Sequence, residues 1–168
     1  MNRNLAILSM LILAIAGIGL KSGDLAPDFA VKNQDGKVVH LHDFEGKPVL
    51  MYFYPKDETP GCTKEACSFR DEFSKFKKLG AVVLGVSMQD EKSHQGFRSK
   101  HKIPFDLLVD QDGSLAKAYG VGFLAGVPLH KRQSILISAG GKVLKFYDNV
   151  DPKTHTNEVL KDLESLKK

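Results

Sequence analysis

The two cysteines of the chain, Cys62 and Cys67, lie in one short segment, TPGCTKEAC. A Pro-Gly pair precedes Cys62. It separates an apolar run that predicts a buried strand over residues 49–54 from an apolar periodicity that predicts an amphipathic helix over residues 63–79. Cys62 is therefore expected in or near the first helical turn, where free N–H groups and the helix dipole favour an anion. A thiol placed there readily forms the nucleophilic thiolate. The segment thus predicts a reactive cysteine, and the Thr59 hydroxyl is positioned to reach the same spot.

The five-residue spacing of the cysteines argues against a permanent disulfide. If the helix runs through both, they are separated by a rise of about 7.5 Å and a Cα–Cα distance of about 8.7 Å. Bridging beyond ~7 Å requires backbone movement. The pair can therefore join only if the first turns unwind, which favours a redox switch over a structural disulfide.

Metal binding and dithiol exchange are weaker interpretations of the same residues. Structural zinc sites usually begin with a CxxC-like pair, and thioredoxin-type dithiols are CxxC, whereas this spacing is CxxxxC. His40 and His42 lie on one face of a predicted strand, but two surface histidines are favoured over metal ligands. We therefore predict no metal site.

Composition and charge indicate a single soluble domain of the globular class. The chain has 168 residues, and Lys+Arg 24 against Asp+Glu 20 gives a net charge of +4. The basic residues are spread along the chain without aromatic interleaving, so a nucleic-acid partner is disfavoured.

The N-terminus carries a separate signal. Arg3 precedes an apolar run that ends at Leu20 and contains a small-x-small pattern at residues 14–16. We predict a secretory signal peptide over residues 1–16, with an uncleaved membrane anchor extending to about residue 20 as the alternative. Either one predicts an exported protein, periplasmic or extracytoplasmic, with one folded domain over residues 21–168. Its only membrane contact would be such an anchor.

The order of predicted elements indicates an α/β fold. A hairpin around Asp35 and Gly36 comes first, and three buried strands then alternate with helices. A second hairpin over residues 132–147 and a terminal helix over residues 156–166 follow. Such alternation predicts a layered architecture with a mixed central sheet flanked by helices. The βαβ context after residue 54 is compatible with a three-layer thioredoxin-like fold.

The segment YPKDETPGCTKEACSFRDEF resembles the active site of the peroxiredoxins, in their peroxiredoxin Q or bacterioferritin comigratory protein branch. The family pattern Pro-x-x-x-Thr-x-x-Cys is present as Pro55, Thr59 and Cys62. The segments GDLAPDF, FDLLVDQDGSLAKAYGV and KRQSILISAGGKV resemble further parts of the family, and the last places its active-site arginine at Arg132.

The resemblance implies a thiol peroxidase that reduces hydrogen peroxide and organic hydroperoxides. Cys62 would be the peroxidatic cysteine and Cys67 the resolving one, and a thioredoxin-like protein would reduce their disulfide. Arg132, the Thr59 hydroxyl and backbone N–H groups near Gly61 would stabilise the departing oxygen. Pro55 would shield the site. The family also implies a monomer or weak dimer without a cofactor.

Two other functions remain open at this point. An exported thioredoxin-fold binding or chaperone module would carry Cys62 and Cys67 as a passive disulfide. A thiol–disulfide oxidoreductase is disfavoured because the chain has no CxxC. The role of the glycine-rich residues 120–128 is left open between a loop near the site and a binding or dimer surface.

Overall fold

The computed structural model describes residues 19–167. The predicted signal peptide lies outside the described residues, and so does most of the alternative anchor. Among the helices of the described part, none combines the length and apolar character needed to cross a bilayer.

Two sheets form the framework. β1 (Ala30–Lys32) and β2 (Val38–His40) pair as an antiparallel hairpin, with Gly36 supplying a φ of 74° in the turn. The second sheet has the order β5-β4-β3-β6-β7. Its strands are β3 (Val49–Phe53), β4 (Val82–Ser87), β5 (Asp106–Val109), β6 (Gln133–Ile137) and β7 (Val143–Tyr147). The β3–β4–β5 part is parallel, whereas β6 and β7 are antiparallel, which confirms the predicted mixed sheet.

Alternate side chains of β3 define the two sides of the sheet, as the two-residue period of a strand requires. The helices are α1 (Pro60–Asp71), α2 (Phe73–Lys78), α3 (Glu91–Lys100), α4 (Ser114–Ala118) and α5 (His155–Ser165). Leu50 and Tyr52 face one core, which the helices α1, α2, α3 and α5 cover. Met51 and Phe53 face the other core, which the N-terminal hairpin and α4 cover. These layers confirm the predicted three-layer fold.

The single helix predicted over residues 63–79 is wrong in two respects. It begins three residues earlier, at Pro60, because proline fits the first helical turn with its fixed φ and its missing N–H. It also breaks at Glu72, where φ is −96° and ψ is 6°. The break lets Phe76 pack edge-on against Phe69 at 5.7 Å between ring centroids. Apolar spacing in the sequence continues across the break and therefore gave no sign of it.

Candidate active site

The first turn of α1 holds the predicted nucleophile. Thr59 is the N-cap, the helix begins at Pro60, and Cys62 is the third helical residue. This placement confirms the expected position of Cys62 among the free N–H groups of the turn. The side chain is only 1% exposed, so the sulfur lies under the surface beside whatever groups the fold brings to it.

Arg132 is the group that reaches this sulfur. Its Nη2 donates to the Cys62 Sγ at 3.3 Å. The contact follows from strand pairing: Phe53, the last residue of β3, pairs with Gln133, the first residue of β6. The residue before β6 therefore lies beside the loop that leaves β3. An antiparallel register between strands about 80 residues apart in the chain thus unites two parts of one site.

Glu65 completes this contact, although sequence reasoning left it out. Its Oε2 lies 2.5 Å from Nη1 of Arg132, and its side chain is fully buried. Cys62 and Glu65 are three residues apart on α1, so they lie on one face of the helix and share the same guanidinium. The signal was available in the three-residue spacing, but only the fold shows that an arginine faces it.

Glu65 and Arg132 form a largely buried ion pair. Burial raises the pKa of Glu65 to about 7, and Arg132 only partly counteracts it. Burial tends to lower the pKa of Arg132, but the charges of Glu65 and Cys62 outweigh burial and raise it. The upward shift of Arg132 presupposes an ionised Glu65, while burial opposes that ionisation. The guanidinium therefore stays charged, and the carboxyl is the group that titrates near neutral pH.

Gly61 makes room for the guanidinium. A Cβ at this position would lie 3.1 Å from Nη2 of Arg132 and 3.9 Å from Cγ of Pro152. Its backbone has no positive φ, so the need is for space and not for a special conformation. The structure thus gives Gly61 a steric role beside the backbone N–H that the sequence predicted.

Thr59 and Pro55 lie where the sequence predicted, but the hydroxyl of Thr59 has another partner. Its Oγ1 donates to the carbonyl of Lys56 at 2.8 Å and makes no capping hydrogen bond to α1. Thr59 is therefore the N-cap by position, and its side chain does not cap the helix in this conformation. The hydrogen bond closes the turn of residues 56–59 just before the helix. Pro55 lies two residues after the end of β3 and is partly buried.

Cys67 lies on the same unbroken helix as Cys62, and both thiols are free. It is more accessible than Cys62. Arg70, one turn further on, donates from Nη1 to the carbonyl of His101 at 2.7 Å. A hydrogen bond to Asp71 is the main cause that raises the pKa of Arg70, and the Cys67 sulfur contributes to the rise. The sequence analysis did not include Arg70 in the site, because nothing in the local sequence marks it as a neighbour of the His101 carbonyl.

A buried network also missed by the sequence analysis anchors the loop between Pro55 and Thr59. The Asp57 carboxylate accepts hydrogen bonds from Tyr54 at 2.7 Å, from Ser93 at 2.7 Å and from Nδ1 of His94 at 2.8 Å. Burial raises the pKa of Asp57, but the His94 interaction and the two hydroxyls outweigh burial and lower it. The network joins the active-site loop to the start of α3.

The glycine-rich residues 120–128 belong to a loop that folds back on the strand after it. Phe123 pairs with His130 in an isolated bridge, and the Gly122 N–H donates to the Gln133 side chain at 2.8 Å. His130 is fully buried, and its Nε2 lies 3.0 Å from Oδ2 of Asp110. The buried His130 side chain fixes the position of the chain two residues before Arg132.

Comparison with known proteins agrees with this geometry. The AhpC/TSA family profile matches residues 22–146. A peroxiredoxin Q from Suaeda salsa, named as chloroplastic, is 47% identical over 148 residues, which are 88% of this chain and 69% of the relative. The crystal structure of a Xylella fastidiosa PrxQ mutant is similar with a TM-score of 0.83 at 28% identity, covering 90% of this chain and 100% of that one.

A second similar structure is that of a protein with described chemistry. The bacterioferritin comigratory protein of Xanthomonas campestris, described for its alkyl peroxide reduction activity, is 32% identical with a TM-score of 0.80. The match covers 89% of this chain and 98% of that chain.

The same comparisons contradict the predicted exported location. The curated relatives at 46% to 48% identity are named as chloroplastic and not as periplasmic or extracytoplasmic proteins. The prediction rested on a short apolar run after Arg3. Such a run reports hydrophobicity, whereas a destination is read by a receptor that recognises a particular signal, and this is why the pattern misled.

Proposed function

The chain belongs to the AhpC/TSA family, in its peroxiredoxin Q or bacterioferritin comigratory protein branch. We propose the following roles for its residues in thiol peroxidase catalysis. Cys62 reduces hydrogen peroxide and organic hydroperoxides, and Cys67 resolves the product. The observation that carries the proposal is the 3.3 Å contact between Nη2 of Arg132 and the Cys62 Sγ in the first turn of α1.

The first step is attack of the Cys62 thiolate on one peroxide oxygen. An S–O bond forms and the O–O bond breaks. Cysteine is oxidised to a sulfenic acid, and the other oxygen leaves as water or an alcohol after taking a proton. Negative charge develops on the leaving oxygen, so fixed donors close to it lower the barrier. Arg132 is the donor beside the sulfur, and its planar fork can serve Glu65 and the reacting atoms together.

Thr59 takes part after a change of partner. Its hydroxyl donates to the Lys56 carbonyl, so it must rotate about χ1 to donate to a bound peroxide. Pro55 and the turn of residues 56–59 limit access of water to the sulfur. The backbone N–H groups of Gly61 and Cys62 belong to the first turn of α1 and have no partner within the helix.

The second step joins the two cysteines. The Cys67 thiol attacks the Cys62 sulfenic acid, an S–S bond forms, and the oxygen leaves as water. On an intact α1 the two Cα atoms are about 8.7 Å apart, which is too far for a disulfide. The first turns of α1 must therefore unwind, and the bond can form only after Cys62 has reacted.

A thioredoxin-like dithiol then restores both thiols, becoming a disulfide itself. The protein acts as a monomer or weak dimer in this scheme, because one chain supplies both cysteines and Arg132. Organic hydroperoxides are included because the similar Xanthomonas protein is described by its alkyl peroxide reduction activity.

The test compares the two cysteine variants. Purified wild type, Cys62→Ser and Cys67→Ser are given hydrogen peroxide or an organic hydroperoxide, with thioredoxin, its reductase and NADPH. Wild type should turn over repeatedly and Cys62→Ser should show no consumption above background. Cys67→Ser should perform one turnover and then hold a sulfenic acid, seen by mass spectrometry as a dimedone adduct on Cys62.

The nucleophile, the resolving cysteine and the reductant can each be refuted by a different result. Peroxide consumption by Cys62→Ser at the wild-type rate would contradict the nucleophile. Repeated turnover by Cys67→Ser with thioredoxin would contradict resolution by Cys67. If wild type forms its disulfide but thioredoxin does not reduce it, the reductant is wrong and the first two steps stand.

A further inference from the structure

A cluster of possible metal ligands lies at the surface where β2 ends and a short 3₁₀ turn (Leu41–Phe44) begins. One ligand atom from each of His40, His42 and Asp43 lies within 4.8 Å of the other two. Nδ1 of His40 is 3.6 Å from Oδ2 of Asp43, and Nε2 of His42 is 4.0 Å from Oδ1 of the same carboxylate. Donor atoms around one zinc ion at ~2.0–2.2 Å are about 3.4 Å apart, so small side-chain movements suffice.

Asp28 gives this cluster the outer contact that metal-bound histidines usually have. Its Oδ2 lies 2.6 Å from Nδ1 of His42. Its Oδ1 accepts the backbone N–H groups of Leu41 at 3.0 Å and of His42 at 3.3 Å. The carboxylate is therefore held in place, and it keeps the proton of His42 on Nδ1. The lone pair of Nε2 is then directed to the Asp43 side, as in carboxylate–histidine–metal arrangements.

The backbone holds the three ligands in register. Oδ2 of Asp43 accepts the backbone N–H of His40 at 2.8 Å, which fixes the turn. The imidazoles of His40 and His42 are stacked, with centroids 4.7 Å apart and planes 26° from parallel. Rotation of the His40 ring about χ2, a soft torsion, directs its nitrogen to the point that Nε2 of His42 faces. Both side chains reach solvent, with relative exposures of 35% for His40 and 62% for His42.

The surroundings favour a cation and leave room for it. The carboxylates of Asp28, Asp43 and Glu45 surround His42, and Lys47 is the cation on the neighbouring wall. Asp28 and His42 border a cleft of about 350 Å³. The cleft lies at the start of β3, whereas Cys62 follows the end of that strand, so this site is separate from the peroxidase site.

We propose that His40, His42 and Asp43 bind a divalent late transition-metal ion of the zinc type, with Asp28 orienting His42. Two imidazoles and one carboxylate suit Zn²⁺, Ni²⁺ or Cu²⁺, whereas Mg²⁺ and Ca²⁺ prefer oxygen ligands alone. Water completes the coordination from the solvent side. The two histidines are then ligands and not the plain surface residues that the sequence suggested.

The test is titration of the full chain with ZnCl₂ by isothermal titration calorimetry, at neutral pH and without an affinity tag. It is performed in a Cys62→Ser/Cys67→Ser background, so that thiolates do not contribute. One saturable site is expected. His40→Ala and His42→Ala should each weaken binding at least tenfold, and Asp28→Asn should weaken it by about ten- to a hundredfold. His101→Ala is the matched control, because His101 also contacts a carboxylate, that of Glu58, but has no second histidine beside it.

The proposal is overturned if the background protein shows no saturable Zn²⁺ binding. It is also overturned if His42→Ala binds as tightly as that protein, or if His101→Ala weakens binding as much as His42→Ala. Co²⁺ provides a second measurement, since imidazole and carboxylate ligands of a four-coordinate ion give strong visible absorption that His42→Ala should lose. With both cysteines restored, His42→Ala should retain wild-type peroxide turnover.

Discussion

Nδ1 of His94 lies 2.8 Å from the Asp57 carboxylate, while Nε2 of the same ring lies 3.1 Å from the Leu108 carbonyl. Both partners have acceptor oxygens, so the buried ring connects the loop before Cys62 to β5. These contacts hold the conformation of the loop from the interior of the protein.

Breaking this pair should damage both stability and activity. We expect Asp57→Asn to lower the free energy of unfolding by about 3 kcal/mol, because an amide nitrogen at Oδ2 could no longer accept the buried hydrogen bonds from Ser93 and His94. The second-order rate of peroxide reduction should fall as well, since residues 55–59 lose their anchor. The measurements are denaturant unfolding and stopped-flow oxidation.

The control for Asp57 is its neighbour Glu58. Glu58→Gln removes a carboxylate that pairs with Lys100 and His101 in exposed positions. Its effect on stability should stay below about 1 kcal/mol. Equal losses in the two variants would mean that the buried pair has no special role.

A methyl group at Gly61 should displace the guanidinium and leave the helix intact. In Gly61→Ala the new Cβ would lie 3.1 Å from Nη2 of Arg132, so the guanidinium beside the sulfur must shift by a few tenths of an ångström. We expect a loss of about ten- to a hundredfold in the rate of Cys62 oxidation, as small misplacements of reacting groups cause.

Gly96→Ala is the matched helical control, because a Cβ there meets nothing within 4 Å. It should leave the rate unchanged and stabilise α3 by about 0.5–1 kcal/mol. If Gly61→Ala reacts as fast as Gly96→Ala, the close approach of Arg132 does not matter for the reaction.

Ionisation of Glu65 should make the free energy of unfolding depend on pH. Burial raises its pKa from 4.5 to about 7 in the folded state, so the folded protein binds more protons than the unfolded one between these values. The stabilisation of the folded state by protonated Glu65 is fully present below pH 4.5 and is lost as the pH rises through 7. Relative to Glu65→Gln, the unfolding free energy of the wild type should fall by about 2–3 kcal/mol between pH 4.5 and pH 8.

Denaturant titrations at several pH values measure this difference. The exposed Glu164, changed to Gln in the same way, provides the control and should show no such trend. A difference between wild type and Glu65→Gln that is constant with pH would contradict the assignment.

Arg70 should assist the reaction of Cys67 and not that of Cys62. We expect Arg70→Gln to leave the rate of Cys62 oxidation unchanged and to slow disulfide formation about fivefold, since the positive charge near the Cys67 sulfur is lost. Mass spectrometry after a peroxide pulse should then show more sulfinic acid on Cys62. Lys64→Gln, an exposed charge on the same helix, is the control and should change neither rate.

The local elements of this protein were predictable because their signals are local. Apolar runs indicated the strands, Asp35–Gly36 indicated a hairpin, and the position of Cys62 after Pro-Gly indicated a helix start. The spacing of Cys62 and Cys67 on one helix also excluded a disulfide in the intact fold. Each of these inferences needs only residues close together in the chain.

The partners of the nucleophile were decided by the tertiary structure. The register of β3 on β6 brings Arg132 to Cys62, and Glu65 becomes part of the site only because that arginine faces it. Spacing along α1 describes which residues share a face, but it says nothing about what lies opposite. Resemblance to a family supplied Arg132 in advance, whereas burial and pairing of Glu65 come from packing alone.

The same reason explains what was missed at Asp57, His94 and His130. Their partners lie 20 to 37 residues away in the chain, and nothing in the local sequence marks them as buried. A charged residue in a loop is normally exposed, so its burial depends on elements that fold over it. The sequence by itself predicted Cys62 as the nucleophile and determined the helix that carries this residue and the layered fold. Only the tertiary structure decided which charges meet there, because those contacts are made across the sheet and not along the chain.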